Sequence, residues 1–443
     1  DSIDLGEGND RVIITPAAGM SLSPTITNVE ELEIGATATV TLNVRSVTVP
    51  EIILTAQNGV TNVVTLANST AVTNILAAAA AGAGLDDANG LTFTGAGYAG
   101  TDDTVTITGS TVARAMTTGA MTLNGVENIN IVVVGDAAED TFTIGNLVNN
   151  AINTMTVTSS GFGETTTGTD IVLGSVGDGA NGMSSFDASG ADTGVSVTLA
   201  DMAASSAVTG SGYRDAFILT GSAGGAIVSM GAGNDQATAS AAGDTIYGEG
   251  GNDILTGAAG ADTLDGGAGN DTITGNAGAD VISLGAGIDT LVRNGDGTTD
   301  GSDTVSDFTA GAGGDVIDFT TNSSVGAGGG AAGVTIEAAA ATTIAAQTGL
   351  IVVASDAATA DAAGLIAAIT ADVGVLTTRF TAAGDIAYVV FDDGTNSYLG
   401  LMTEVGGTAG YTVADGDTLD IIMTLTGVAD ATTLTAANFA DFI

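Results

Sequence analysis

The sequence predicts an all-β protein in three parts: a short-strand β-solenoid or sandwich, a right-handed parallel β-roll of nine-residue repeats, and a β-rich C-terminal domain with one helix. Three observations carry this prediction. An aspartate recurs every nine residues from Asp235 to Asp289, short runs of Thr, Val and Ile alternate with polar residues before it, and 67 glycines among 443 residues interrupt those runs. That glycine content without a triplet period means turns repeated many times, not a collagen helix.

Residues 1–229 are the short-strand part. Thr39-Val40-Thr41-Leu42-Asn43-Val44, Thr104-Val105-Thr106-Ile107-Thr108 and Ile129-Asn130-Ile131-Val132-Val133-Val134 alternate β-branched and polar residues, the pattern of half-buried strands. Asn28-Val29-Glu30-Glu31-Leu32-Glu33-Ile34 and Gly125-Val126-Glu127-Asn128-Ile129-Asn130-Ile131 each set a Val-Glu pair before an alternating strand, as duplicated rungs would. Strand order is left open between solenoid and sandwich.

Residues 230–300 are the roll. Asp235, Asp244, Asp253, Asp262, Asp271, Asp280 and Asp289 fall at the same place in successive repeats. Two residues later stands an apolar residue each time: Ala237, Ile246, Leu255, Leu264, Ile273, Ile282, Leu291. Two residues earlier stand Gly233, Ala242, Gly251, Gly260, Gly269, Gly278 and Gly287. Six residues of turn and three of strand make half a flattened coil, so residues 18 apart stack at the strand spacing of about 4.8 Å. Glycines admit positive φ and bring backbone carbonyls together. With the aspartates they form an all-oxygen cage that selects calcium over zinc or copper. Asn252 and Asn270, each just before an aspartate, count with the candidate ligands. Five pairs of stacked aspartates imply five inter-rung calcium positions, and folding coupled to cation binding.

Residues 301–443 form the third part. Residues 326–333 read as a flexible linker or loop. Ser355-Asp356 caps a helix running to about Asp372. Ala387-Tyr388-Val389-Val390-Phe391 and Ser397-Tyr398-Leu399-Gly400-Leu401 read as a hairpin turning at Asp392-Asp393, and Asp420-Ile421-Ile422-Met423-Thr424-Leu425 as a further strand.

The block Gly266-Gly267-Ala268-Gly269-Asn270-Asp271-Thr272-Ile273-Thr274 resembles the RTX nonapeptide repeat of proteins exported by type I secretion. Leu5-Gly6-Glu7-Gly8-Asn9-Asp10-Arg11-Val12-Ile13 looks like an isolated further copy, with Asp10 as its ligand. Met230, Ala239 and Leu284 depart from the first glycine of the motif, and Ser240, Glu249, Ala258 and Asn276 from the second. Gly301-Ser302-Asp303-Thr304-Val305-Ser306-Asp307-Phe308 and Gly314-Asp315-Val316-Ile317-Asp318-Phe319 resemble the segment closing such rolls. Asp303, Asp307, Asp315 and Asp318 there either cap the last calcium turns or form a solvated acidic loop. Asn438-Phe439-Ala440-Asp441-Phe442-Ile443 is similar to an uncleaved type I secretion signal.

Composition limits the function classes. No Cys, no His and a formal charge of −45 exclude Cys₄ or Cys₂His₂ zinc sites, HExxH, Ser-His-Asp and thiol chemistry within this sequence. The same charge excludes basic-patch binding of nucleic acid or anionic lipid. Absence of Cys fits export without disulfides. No run of eighteen apolar residues and no signal peptide is visible, and the sequence opens at Asp1 within a motif, as a piece of something longer. Residues 293–300 read as an exposed turn and Asp392-Asp393 as a hairpin turn instead of a catalytic dyad. The chain is expected to be no enzyme.

Together these features resemble the C-terminal part of alphaproteobacterial surface-layer (S-layer) proteins. That resemblance implies export through a type I ABC transporter, crystallisation with copies of itself into a two-dimensional lattice on binding Ca2+, and attachment to lipopolysaccharide through a region not evident here. The alternatives are a secreted RTX adhesin and the secretion module of an exported hydrolase.

Overall fold

The computed structural model describes residues 121–318 with short gaps (124, 136–140, 150, 163–168, 178–181, 222–223 and 294–300). Before that it describes mainly strands between residues 2 and 118; after it, 350–356, 386–392, 395–403, 418–429 and parts of 433–440. The chain divides into two compact units, Asp1–Ala241 and Ala242–Ile443.

In the first unit, strands alternate between two parallel sheets. One sheet runs Arg11–Ile14, Glu31–Ala36, Glu51–Ala56, Asn74–Ala79, Thr104–Ser110, Asn128–Val134, Thr154–Ser160, Met183–Gly190, Met202–Thr209 and Ala226–Ser229, each strand beside the next. The other includes Thr169–Gly177, Gly194–Ala200, Ala216–Thr220 and Gln236–Thr238, paired in the same sense. Parallel neighbours joined through a second sheet make a solenoid, which settles the open choice against a sandwich of hairpins. The alternating residues explain why: Ile129, Ile131 and Val133 are buried, while Asn128 and Asn130 between them take hydroxyl hydrogen bonds from Thr154 and Thr156 of the next rung at 2.6 and 2.7 Å. Between the sheets, Phe186 and Phe217 meet edge to face with ring centres 5.6 Å apart. Both Val-Glu motifs place a buried valine, Val29 and Val126, just before a strand of the same sheet. Arg11 pairs with Glu31 and Glu33 one rung on, with the Glu31 contact at 2.6 Å.

In the second unit the rungs shrink to 18 residues. Thr245–Tyr247, Thr263–Asp265 and Val281–Ser283 stack in parallel, and so do Ile254–Thr256, Thr272–Thr274 and Thr290–Val292. Each strand buries its middle residue, from Ile246 through Leu291. Asp303–Ser306 and Val316–Asp318 add one more rung. The next rung comes from far along the chain: Thr418–Thr426 pairs with Asp303–Ser306, setting Val305 beside Leu425, and Phe439–Ala440 pairs with Val316–Asp318, setting Ile317 beside Phe439. Asn438, fully buried, fixes this closure. Its amide donates to the carbonyls of Gly311 and Asp315 at 3.2 and 2.7 Å, and its oxygen accepts the Gly311 N–H at 2.9 Å. The segment that resembles a secretion signal therefore supplies part of the last rung.

The expected hairpin forms between Ile386–Asp392 and Asn396–Thr403, followed by the antiparallel strand Thr418–Thr426. Ser355 and Asp356 do not cap a helix; they end the strand Leu350–Asp356, because the β-branched run Ile351-Val352-Val353 extends through them. The body of the expected helix, residues 326–333, residues 294–300 and Asp393 lie outside the described residues. Among the described residues no helix is long and apolar enough to cross a membrane.

Candidate metal centre

A strand's side chains alternate, so an aspartate two residues before a buried apolar residue must face inward too. Asp244, Asp253, Asp262, Asp271 and Asp280 are each 1% exposed, and Asp289 is 0%. A buried carboxylate is costly unless its oxygens find partners. Half of that need is met by the coil itself. The backbone N–H of Asp253 donates to Asp271 Oδ1 and that of Asp271 to Asp289 Oδ1, both at 2.8 Å. On the opposite edge Asp244 donates to Asp262 Oδ1 at 2.7 Å and Asp262 to Asp280 Oδ1 at 2.8 Å. Each aspartate's carbonyl in turn accepts a strand N–H of the following rung, as from Thr272 to Asp253 at 2.7 Å and Thr290 to Asp271 at 2.8 Å. The stacked carboxylates are thus held in line by main-chain donors, each through one oxygen.

The second oxygen is different. Oδ2 of Asp271 and of Asp289 is buried with no hydrogen-bond partner. At Asp271 it faces the glycine five residues earlier, Gly266; before Asp289 that place is held by Leu284. Where a Cβ on Gly266 would stand, Asp271 Oδ2 is 2.6 Å away and the Leu284 carbonyl oxygen 2.5 Å. At Gly248 the corresponding oxygens are Asp253 Oδ2 and the Gly266 carbonyl, both at 2.5 Å. Beside Gly248 and Gly266, carboxylate and backbone oxygens from adjoining rungs line a hollow that a side chain there would fill, which fits a hard cation with flexible oxygen coordination. Among the described residues no three acidic side chains converge on one point, so an ion in these turns rests on at most two carboxylates with backbone oxygens around them.

Burial raises the Asp289 carboxyl to about 6, with the negative charges of Asp315 and Asp271 adding to it. Burial also pushes up Asp271, helped by the charge of Asp265, and Asp262, helped by that of Asp244. A carboxyl whose folded pKa exceeds its unfolded value stabilises the fold when protonated, and that contribution is lost as pH rises from about 4 to about 6. Calcium needs the ionised form, so the loaded roll has the opposite dependence. The calcium midpoint for roll formation is expected to fall as pH is raised from about 5 to about 7, while in chelator the residual β signal is greatest in acid. Circular dichroism at several pH values checks both.

Several candidate ligands have other work. Asn252 Oδ1 accepts the Asn270 N–H at 2.8 Å, and Asn270 Oδ1 the Ile288 N–H at 2.9 Å, so these asparagines join rungs along an exposed edge. Asp303 Oδ1 accepts the Asp280 N–H at 3.2 Å, while its Oδ2 meets the buried Arg293 guanidinium at 2.5 Å. A fixed cation thus ends this edge, and Arg293 also donates to the Ile422 carbonyl at 3.3 Å. Asp307 is exposed, left-handed at φ 61°, and accepts the Ser283 hydroxyl at 3.1 Å. The other edge ends at Asp315, which accepts the N–H groups of Asp289 at 2.9 Å and Thr309 at 2.6 Å. Asp10 is half-buried and its carbonyl takes the Glu31 N–H at 3.1 Å, the same main-chain link the roll aspartates make; Gly6 and Gly8 lie outside the described residues. Gly251, Gly260, Gly269, Gly278 and Gly287 all have positive φ, from 110 to 159°.

One relative of the motif escapes the nine-residue spacing. Asp215 follows Gly210 by five residues and precedes buried Phe217 by two; its N–H donates to Asp235 Oδ1 at 2.7 Å, and its own Oδ1 accepts the Val195 N–H at 2.7 Å. Twenty residues to Asp235 in place of eighteen hide it from a strict period.

Residues 231–264 and 256–291 match the family model of the RTX calcium-binding nonapeptide repeat. No curated protein matches the chain. Residues 231–291 are therefore RTX repeats, and these repeats bind calcium.

Proposed function

We propose that this chain is a secreted, non-enzymatic structural protein, exported unfolded and assembled on binding calcium into a two-dimensional lattice at the cell surface. The observation that carries the calcium dependence is the buried, unpartnered Oδ2 of Asp271 and Asp289. Bound calcium supplies the positive charge that lets such carboxylates stay ionised indoors. Everything else is set by the chain: the N–H ladder orients each carboxylate, the glycines keep the hollow open, and the inward aliphatic column excludes water.

Export and folding are ordered by the same chemistry. Before calcium is met, 51 acidic residues against 6 basic ones repel and keep the chain extended enough to thread through a type I transporter. The Asn438–Ile443 signal is accessible at that stage, since folding buries Asn438 and Phe439. The lattice reading is supported by the long run of stacked rungs and by a composition poor in catalytic side chains. Attachment to lipopolysaccharide is assigned to no residue of this sequence.

Electron microscopy of purified protein with calcium tests the reading. Ordered sheets with calcium and none in chelator are expected. Dispersed particles that bind glycans would point to an adhesin instead, and dispersed particles without that binding to a secretion module.

A further inference from the structure

The repeats differ at the residue four places before the aspartate, and the structure ties that difference to the carboxylate. Gly231, Glu249, Gly267, Asn276 and Gly285, which precede Asp235, Asp253, Asp271, Asp280 and Asp289, are left-handed, with φ between 62 and 96°. Ala258 and Ser240, which precede Asp262 and Asp244, are not, nor is Ser211 before Asp215. The consequence is visible at the carboxylate. The Ala258 N–H donates to Asp262 Oδ2 at 3.2 Å and the Ser211 N–H to Asp215 Oδ2 at 2.6 Å, with the Ser211 hydroxyl 3.0 Å from both Asp215 oxygens. Where Gly267 and Gly285 turn over, Oδ2 of Asp271 and Asp289 is left buried without a donor.

We infer that this residue decides which turns take calcium: a left-handed residue opens the turn to the ion, and any other lets the backbone amide close it. The Asp253, Asp271 and Asp289 turns along one edge, with Asp235 and Asp280, are the calcium turns. The Asp262 and Asp244 turns assemble without an ion, and Asp215 does so further upstream. Glu249 shows that openness is held at a cost, since a side chain other than Gly, Asn or Asp rarely adopts this region. Substitution of the second glycine is thus not equivalent between repeats. Glu249 and Asn276 keep the glycine geometry; Ala258 and Ser240 abandon it.

This inference rests on calcium binding by the repeats, and its test separates the two. Bound calcium is counted by equilibrium dialysis with radioactive calcium on the full chain and on Asp271→Asn, Asp262→Asn and Ala258→Gly. Wild type retains calcium, Asp271→Asn loses about one ion, Asp262→Asn loses none, and Ala258→Gly gains about one. Should Asp262→Asn fail to fold, Ala258→Gly alone decides. Equal losses from Asp262→Asn and Asp271→Asn, or an unchanged count in Ala258→Gly, overturn the inference while leaving calcium binding intact. A wild-type chain that retains no calcium overturns both.

Discussion

Excess chelator at neutral pH is expected to abolish the strands of residues 231–318 while those of residues 121–229 persist. The two stretches face different energetics. A nonapeptide such as residues 266–274 buries one aliphatic side chain, Ile273, worth about 1.5–3 kcal/mol, whereas ordering nine backbone residues costs about 1–2 kcal/mol each. Hydrogen bonds add a net of about 1 kcal/mol apiece, and a buried ionised carboxylate without a partner subtracts from the total. The longer rungs upstream bury Phe142, Phe162, Phe186 and Phe217 with Ile129, Ile131 and Met155. Their carboxylates are also answered internally: Thr193 donates to Asp170, and Ser211 and Val195 donate to Asp215. Limited proteolysis with mass mapping checks this, since cleavage in chelator should concentrate between residues 231 and 318.

Gly269→Ala is expected to cost more than about 4 kcal/mol even at saturating calcium, enough to leave the roll unfolded. Gly269 sits at φ 140°, a region side chains do not adopt, and an added Cβ would overlap the carbonyl of Gly251 on the rung before. Neither partner can yield easily, because Gly269 N–H donates to the Ala286 carbonyl and Gly251 N–H to the Ala268 carbonyl, both at 2.8 Å. Gly250→Ala is the control. Nothing lies within 4 Å of its Cβ position, and Ala259, Ala268, Ala277 and Ala286 already occupy that place in the following repeats. Its stability should match wild type within about 0.5 kcal/mol in thermal unfolding.

The roll was legible because its period is strict. Asp at one position and an aliphatic residue two later fix both the strand and the face, and every such aliphatic residue from Ala237 to Leu291 is buried. The upstream solenoid was legible as strands but not as an order. Its rungs vary, with Arg11 beside Glu31 but Asn74 beside Thr106, so no single offset reveals the stacking. At the site, residue type identified the cation but not the role of each oxygen. Asn252 and Asn270 have the composition of ligands yet lie on the outer edge, where a neighbouring amide competes for them. Arg293 carries no local sign of its contact with the returning Thr418–Thr426 strand, because its bond to the Ile422 carbonyl spans 129 residues. Contacts across more than a hundred residues leave no local pattern to read.

Amide hydrogen exchange at Asp253 and Asp271 measures the central claim most directly, since their N–H groups donate to the carboxylates of the next calcium turn. Protection at both amides should rise steeply with calcium at neutral pH and vanish when the ion is withdrawn. Equal protection with and without calcium would mean that this ladder stands unaided, and the coupling of ion to fold would be wrong.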